Sequence, residues 1–229
     1  MSKNSIRIGN CSGFYGDKLS AAKEMVEGGP IDVLTGDYLA ELTMAILYNQ
    51  KLQRGEDKGY VGTFLKQLKE VAKTCKEKNI KIISNAGGLN PESMAKEVAS
   101  ILAEMNVDDA NVAYIDGDNL IDEIEQLQTQ GETFENIDRK IPLSESGCKV
   151  LTSNTYLGCW GIKEALDLGA DIVICPRVTD ASLTMGAAAW KFNWQRDDYD
   201  ALAGSLAAGH IIECGAQTTG GNYSFFEEV

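Results

Sequence analysis

Residues 172–190 read IVICPRVTDASLTMGAAAW, and the change of pattern inside them decides the fold class. Ile172, Val173 and Ile174 form a short apolar run without alternation, as suits a strand buried on both faces of a parallel sheet. Pro176 breaks the run, and Arg177, Thr179, Asp180 and Ser182 follow in quick succession. Leu183, Gly186, Ala187 and Trp190 then recur at helical spacing. A strand that empties into a polar loop and then a helix places that loop at the carboxyl edge of the sheet, where open α/β folds bind ligands. Two readings follow. The loop is a ligand site, or Arg177 and Asp180 form a loop-stabilising ion pair while Thr179 or Asp180 caps the helix.

Working outward, the same unit recurs. Residues 5–9 read as a strand, followed by GNCSGFYGD and a helix over 18–27 that Gly28-Gly29-Pro30 stops. A strand over 31–34 ends in Thr35-Gly36-Asp37, and the helix over 38–52 is amphipathic through Leu39, Leu42, Ile46 and Leu47. After the charged loop RGEDKGYVG, Phe64, Leu65, Leu68, Val71, Ala72 and Cys75 mark another helix. Residues 81–84 are a strand running into Asn85-Ala86-Gly87-Gly88-Leu89-Asn90-Pro91. Asn90 as N-cap and Pro91 in the first turn start a helix through Met94, Val98, Ile101, Leu102 and Met105. A strand over 112–115 ends in Asp116-Gly117-Asp118-Asn119, and a short helix follows. Residues 131–147 are polar and irregular. Further strands are expected over 149–153 and 210–214.

Strand and helix alternate regularly, which predicts a three-layer, Rossmann-like α/β fold with a mostly parallel sheet and helices on both faces. Residues 1–229 read as a single domain. The chain stops soon after a glycine-rich loop, so it is expected to be the N-terminal part of a longer protein.

Lys and Arg total 21 against 34 Asp and Glu, a net charge of −13, which disfavours nucleic acid and anionic membrane surfaces as partners. No apolar run approaches the ~20 residues of a membrane span, and MSKNSIR is too short and polar for a secretory signal. A cytoplasmic location is expected. The six cysteines include no CxxC pair, so zinc ribbons and dithiol redox are disfavoured and free thiols are expected. A nucleophilic role for Cys11, Cys175 or Cys214 stays open.

Several motifs narrow the chemistry. Gly9, Gly13 and Gly16, with Asp37 closing the second strand, depart from the GxGxxG dinucleotide spacing. No Tyr is followed four residues later by Lys. A nucleotide-binding oxidoreductase is therefore the weakest of the readings. The loop after residue 84 is suited to cradling an anion or carbonyl through free amides, and equally to a tight turn with a good cap. Asp116 and Asp118 lack the downstream paired acids of a magnesium-dependent phosphatase, and there is no P-loop. His210 is the only histidine, so any triad or imidazole-based metal site would depend on it. No metal motif is found, and acidic groups are the better candidates for acid–base work.

Taken together, GFYGD, LTGDYLAELTMAIL, NAGGLNP, YIDGDNL, TSNTYLG, CPRVTDASLTMGAA and GAQTTGGNYS resemble the N-terminal domain of the acyclic terpene utilisation (AtuA) family. The resemblance spans essentially the whole chain, and LTGDYLAELTMAIL and CPRVTDASL are its most specific blocks. Family members are generally longer. The resemblance implies a setting beside acyl-CoA carboxylases in acyclic terpene or branched-chain catabolism; it supplies no reaction and no catalytic residues.

With polar residues converging at the strand ends, the setting that the resemblance implies leads to the expectation of an enzyme acting on a branched or isoprenoid acyl thioester, such as a CoA ester, or on a related carboxylate. Arg177 would pair with a carboxylate or phosphate, and Asp180 would act in acid–base chemistry or orient Arg177. Asp37 and Asp116 would complete the catalytic edge. Ser12, Gly13, Gly87 and Gly88 would offer backbone donors to an oxyanion or phosphate, with Asn85, Asn154, Thr179, Ser182, Gln217 and Thr218 as further ligand contacts. The alternative is a non-catalytic scaffold or regulatory subunit associated with an acyl-CoA carboxylase.

Overall fold

A computed structural model describes residues 5–215. Among the described residues five strands form one wholly parallel sheet: β1 (Ile8–Asn10), β2 (Val33–Gly36), β3 (Lys81–Ser84), β4 (Val112–Tyr114) and β5 (Ile172–Ile174), in the order β1-β2-β3-β5-β4. The helices between and after them are α1 (Ala21–Gly28), α2 (Glu41–Arg54), α3 (Gly62–Glu77), α4 (Pro91–Glu104), α5 (Ile124–Thr129), α6 (Trp160–Asp167), α7 (Ser182–Phe192) and α8 (Tyr199–Glu213). The three-layer α/β architecture expected from the alternation is the one observed. Among the described residues no helix is long and apolar enough to cross a membrane.

Alternate strand residues feed two cores, as the period of two requires. Leu34, Ile82, Ile172 and Ile174 face α1, α3 and α4 through Val26, Leu68, Val71, Met94 and Val98. Val33, Ile83, Val173 and Cys175 face the opposite layer and meet Ile162, Leu166, Leu183 and Ala187 of α6 and α7. The strand order explains this division. From β1 to β4 the chain moves across the sheet in one direction, so right-handed crossovers keep α1 to α4 on one face. It then steps back, inserting β5 between β3 and β4, and the same handedness sends α6 to the other face. The connection leaving β3 and the connection leaving β5 therefore diverge to opposite layers. Their strands are neighbours, and the gap between their carboxyl ends is a topological switch point.

α4 begins as its sequence signals require. The Asn90 side chain accepts from the Ser93 N–H at 3.3 Å, and Pro91 occupies the first turn.

Two expected strands are not strands. Residues 149–153 form no ladder; their neighbour Asn154 makes an isolated antiparallel bridge with Asn119, and Leu120 N–H donates to the Ser153 carbonyl at 2.8 Å. β5 fills the slot beside β3, and a segment whose Leu151 is half exposed lacks the two apolar faces that an interior parallel strand needs. Residues 210–213 are the last turn of α8. The preceding run, YDALAGSLAAG, holds no proline, and an established helix adds each further residue at little cost. That propagation overrides the β preference of Ile211 and Ile212. α8 packs on α7, where a Cβ at Gly209 would lie 2.7 Å from Ala181 Cβ, so glycine permits the close approach.

Candidate active site at the carboxyl edge

The strand register sets the site. Asn10 pairs with Thr35, Gly36 with Ser84, Ser84 with Ile174, and Tyr114 with Ile174. The residues one or two steps beyond those pairs come side by side at the carboxyl edge: Ser12, Asp37, Asn85, Cys175 and Asp116.

Asp37 is the centre of this row and is only 4% exposed. Its N–H donates to the Ser12 carbonyl at 2.9 Å. Its Oδ1 accepts from Asn85 Nδ2 at 2.5 Å and from the Leu39 N–H at 3.3 Å. Asn85 is itself fixed, because its Oδ1 accepts from the Tyr38 N–H at 2.8 Å. Asp37 Oδ2 is buried and has no hydrogen-bond partner among the described residues. Burial raises the carboxyl to about 7; the bonds from Asn85 and Leu39 work against that rise, and the like charges of Asp180 and Glu213 add to it. The result is a carboxyl that exchanges its proton near neutrality, with one oxygen held and the other unbonded.

Arg177 lies across the switch point and is 4% exposed. Its Nη1 donates to the Leu39 carbonyl at 2.5 Å, and its Nη2 donates to Tyr156 Oη at 2.9 Å and to Glu41 Oε1 at 3.3 Å. The guanidinium stacks over the Tyr156 ring, 4.2 Å from its centroid. Tyr156 in turn donates to Glu41. Arg177 thus ties the β2–α2 loop, the 156–158 loop and the β5–α7 loop together. Its backbone N–H donates to Asp118 Oδ2 at 3.3 Å, and Asn154 Nδ2 donates to the same oxygen at 2.8 Å. Asp118 is buried, and burial raises its carboxyl above the usual range.

The other expected site residues divide by where the fold puts them. Ser12 is buried, its hydroxyl donating to the Phe14 carbonyl at 3.1 Å. The Gly13 N–H donates to Asp17 at 3.0 Å. A Cβ on Gly13 would lie 2.5 Å from the Cys214 carbonyl, so its bare backbone admits the end of α8. Gly87 N–H donates to the Cys175 carbonyl at 3.0 Å, and Gly88 N–H to the Asn85 carbonyl at 3.2 Å. These two amides therefore join and shape the β3 and β5 loops. Gly88 has φ +54, where glycine is at ease. Thr179 and Ser182 hydroxyls bond each other at 2.5 Å at the start of α7. Asp180 is half-buried within electrostatic reach of Asp37, whereas Asp116 is exposed. Gln217 and Thr218 lie outside the described residues.

Tertiary contact adds Glu41, Tyr156 and Glu213, which sequence reasoning passed over. Glu41 and Tyr156 stand inside the quoted blocks LTGDYLAELTMAIL and TSNTYLG, but nothing local marks them as partners of Arg177. Glu213 comes to the edge because α8 continues past residue 210. Asn10 Nδ2 donates to the Ile212 and Glu213 carbonyls at 2.9 and 2.6 Å and fastens the helix end there. The thiols are poor nucleophiles: burial raises Cys11 to about 12, pushes Cys175 up strongly, and raises Cys214 to about 11.

The family model described as acyclic terpene utilisation family protein AtuA matches residues 6–229 of the chain. No curated protein and no solved structure matches it.

Proposed function

The chain belongs to the acyclic terpene utilisation family, AtuA, and on that premise we propose an enzyme that moves a proton on a branched or isoprenoid acyl thioester or related carboxylate. Asp37 is the acid–base group. The observation that carries the reading is its unpartnered, buried Oδ2 on a carboxyl raised to about 7. Buried polar atoms are nearly always bonded, and a general base works best with its pKa near the operating pH. As the base, Asp37 Oδ2 takes the proton from the carbon next to the acyl carbonyl, and the C–H electron pair passes to the carbonyl oxygen. Asn85 holds Oδ1 and fixes the carboxyl plane. Asp180 and Glu213 keep the group protonated to higher pH. Arg177 positions the Leu39 and Tyr156 loops around it.

Solvent exchange tests this directly. The protein is incubated in D₂O with a set of branched and isoprenoid acyl-CoA esters, and deuterium uptake is followed by mass spectrometry. Uptake by at least one ester, abolished by Asp37→Asn, is expected. Uptake that survives Asp37→Asn overturns the assignment.

A second reading, a scaffold or regulatory subunit beside an acyl-CoA carboxylase, is favoured by one observation. The Nη groups of Arg177 are bonded to protein partners rather than presented to a ligand. Co-purification with a biotin-dependent carboxylase, together with no exchange into any ester, would favour it.

A further inference from the structure

A cleft opens where α2 ends and α3 begins. It encloses about 340 Å³ and is lined by Tyr15, Gln50, Arg54, Lys58, Tyr60, Gly62, Thr63 and Lys66. We propose that this cleft binds a phosphate or diphosphate group of a small molecule.

Three cations face it in a chain of net charge −13. Arg54 and Lys66 form no ion pair and no side-chain hydrogen bond among the described residues. Lys58 is held at 2.8 Å by Asp57 and donates to Tyr60 Oη at 3.3 Å. Among the described residues no carboxylate lines the cleft. Thr63 contributes a hydroxyl whose oxygen is buried without a partner, a donor that a phosphate oxygen would satisfy. α3 starts at Gly62 with no side-chain cap and no acid in its first turn, so its leading amides add partial positive charge on the same side. The wall is preorganised: Gln50 Nε2 donates to Tyr15 Oη at 3.0 Å, and Val61 N–H donates to the Ala86 carbonyl at 2.8 Å. Arginine beside lysine suits planar, multidentate phosphate recognition.

A larger opening on the amino edge, about 670 Å³ between Lys78, Asn79, Lys81, Trp190 and Lys191, is the natural comparison. Its lysines already have partners: Lys81 pairs with Asp171 at 2.8 Å, and Lys78 donates to the Val26 carbonyl at 3.1 Å. The proposed cleft is also separate from Asp37, so either assignment can fail without the other.

Calorimetric titration of the full chain with inorganic pyrophosphate tests it, with chloride salts matched for ionic strength. Saturable one-to-one binding is expected. Arg54→Ala and Lys66→Ala each weaken it about tenfold, the worth of one charge-assisted bond, and Thr63→Val weakens it with no change of charge. Lys78→Ala keeps wild-type affinity. All four positions are at or near the surface, and circular dichroism checks that each variant folds. Absence of saturable binding, binding unaffected by Arg54→Ala and Lys66→Ala, or a loss confined to Lys78→Ala overturns the proposal.

Discussion

Replacing Asp37 by Asn should stabilise the protein at neutral and alkaline pH while removing its proposed chemistry. The folded carboxyl is raised to about 7 from its ordinary value of 3.8. Between these values the native state binds the proton and the unfolded chain does not, so stability falls as pH rises through that window. Below pH 3.8 the group contributes no penalty, and above pH 7 the penalty is complete. A shift of about 3 pH units at 1.36 kcal/mol each gives about 4 kcal/mol. Asn cannot ionise, yet its carbonyl oxygen can still accept from Asn85 and Leu39. Urea unfolding of both proteins at intervals from pH 4 to 9 measures the difference directly, because the other titrating groups cancel in the subtraction. The stability of Asp37→Asn relative to wild type should climb by about 4 kcal/mol between pH 4 and 8. Parallel profiles across that range would refute the argument that Asp37 is buried, unpaired and close to neutral pKa.

Three further outcomes follow from the same geometry. Asp180→Asn removes a like charge acting on Asp37, so the midpoint of the Asp37-dependent stability difference should move to lower pH; an unmoved midpoint would detach Asp180 from the site. Arg177→Ala leaves the buried Leu39 carbonyl without its donor and removes the Tyr156 stack, which should cost about 3 kcal/mol in urea unfolding, with Arg177→Lys recovering only part. A change below about 0.5 kcal/mol, the size of an ordinary surface substitution, would contradict the clamp. Gly87→Ala places a Cβ 2.6 Å from the Cys175 carbonyl oxygen and 2.8 Å from Pro91 Cβ. It should destabilise by about 1–3 kcal/mol and weaken the junction of the β3 and β5 loops, seen as faster exchange of the amide at position 87, which donates to the Cys175 carbonyl in the wild type.

The sequence by itself determined the layered α/β class, because burial on both faces leaves short apolar runs such as Ile172-Val173-Ile174 and Ile82-Ile83, and burial on one face leaves helical stripes such as Met94, Val98, Ile101 and Leu102. It also determined the start of α4, since N-cap chemistry is local to Asn90 and Pro91. The carboxyl edge was legible for the same reason: polar and glycine residues follow strand after strand, and a parallel sheet aligns them. Strand order was decided only in three dimensions. Nothing local in IVICPR says that β5 inserts between β3 and β4, yet that insertion sends α6 to the second face and creates the switch point. The fates of residues 149–153 and 210–213 were likewise non-local, one decided by a slot already filled and the other by a helix already propagating. Charge was the least legible property of all. Asp37 and Asp116 both close strands in the sequence. Only the fold buries the first against Asn85 and leaves the second in water, because desolvation depends on what lies around a group and not on its neighbours in the chain.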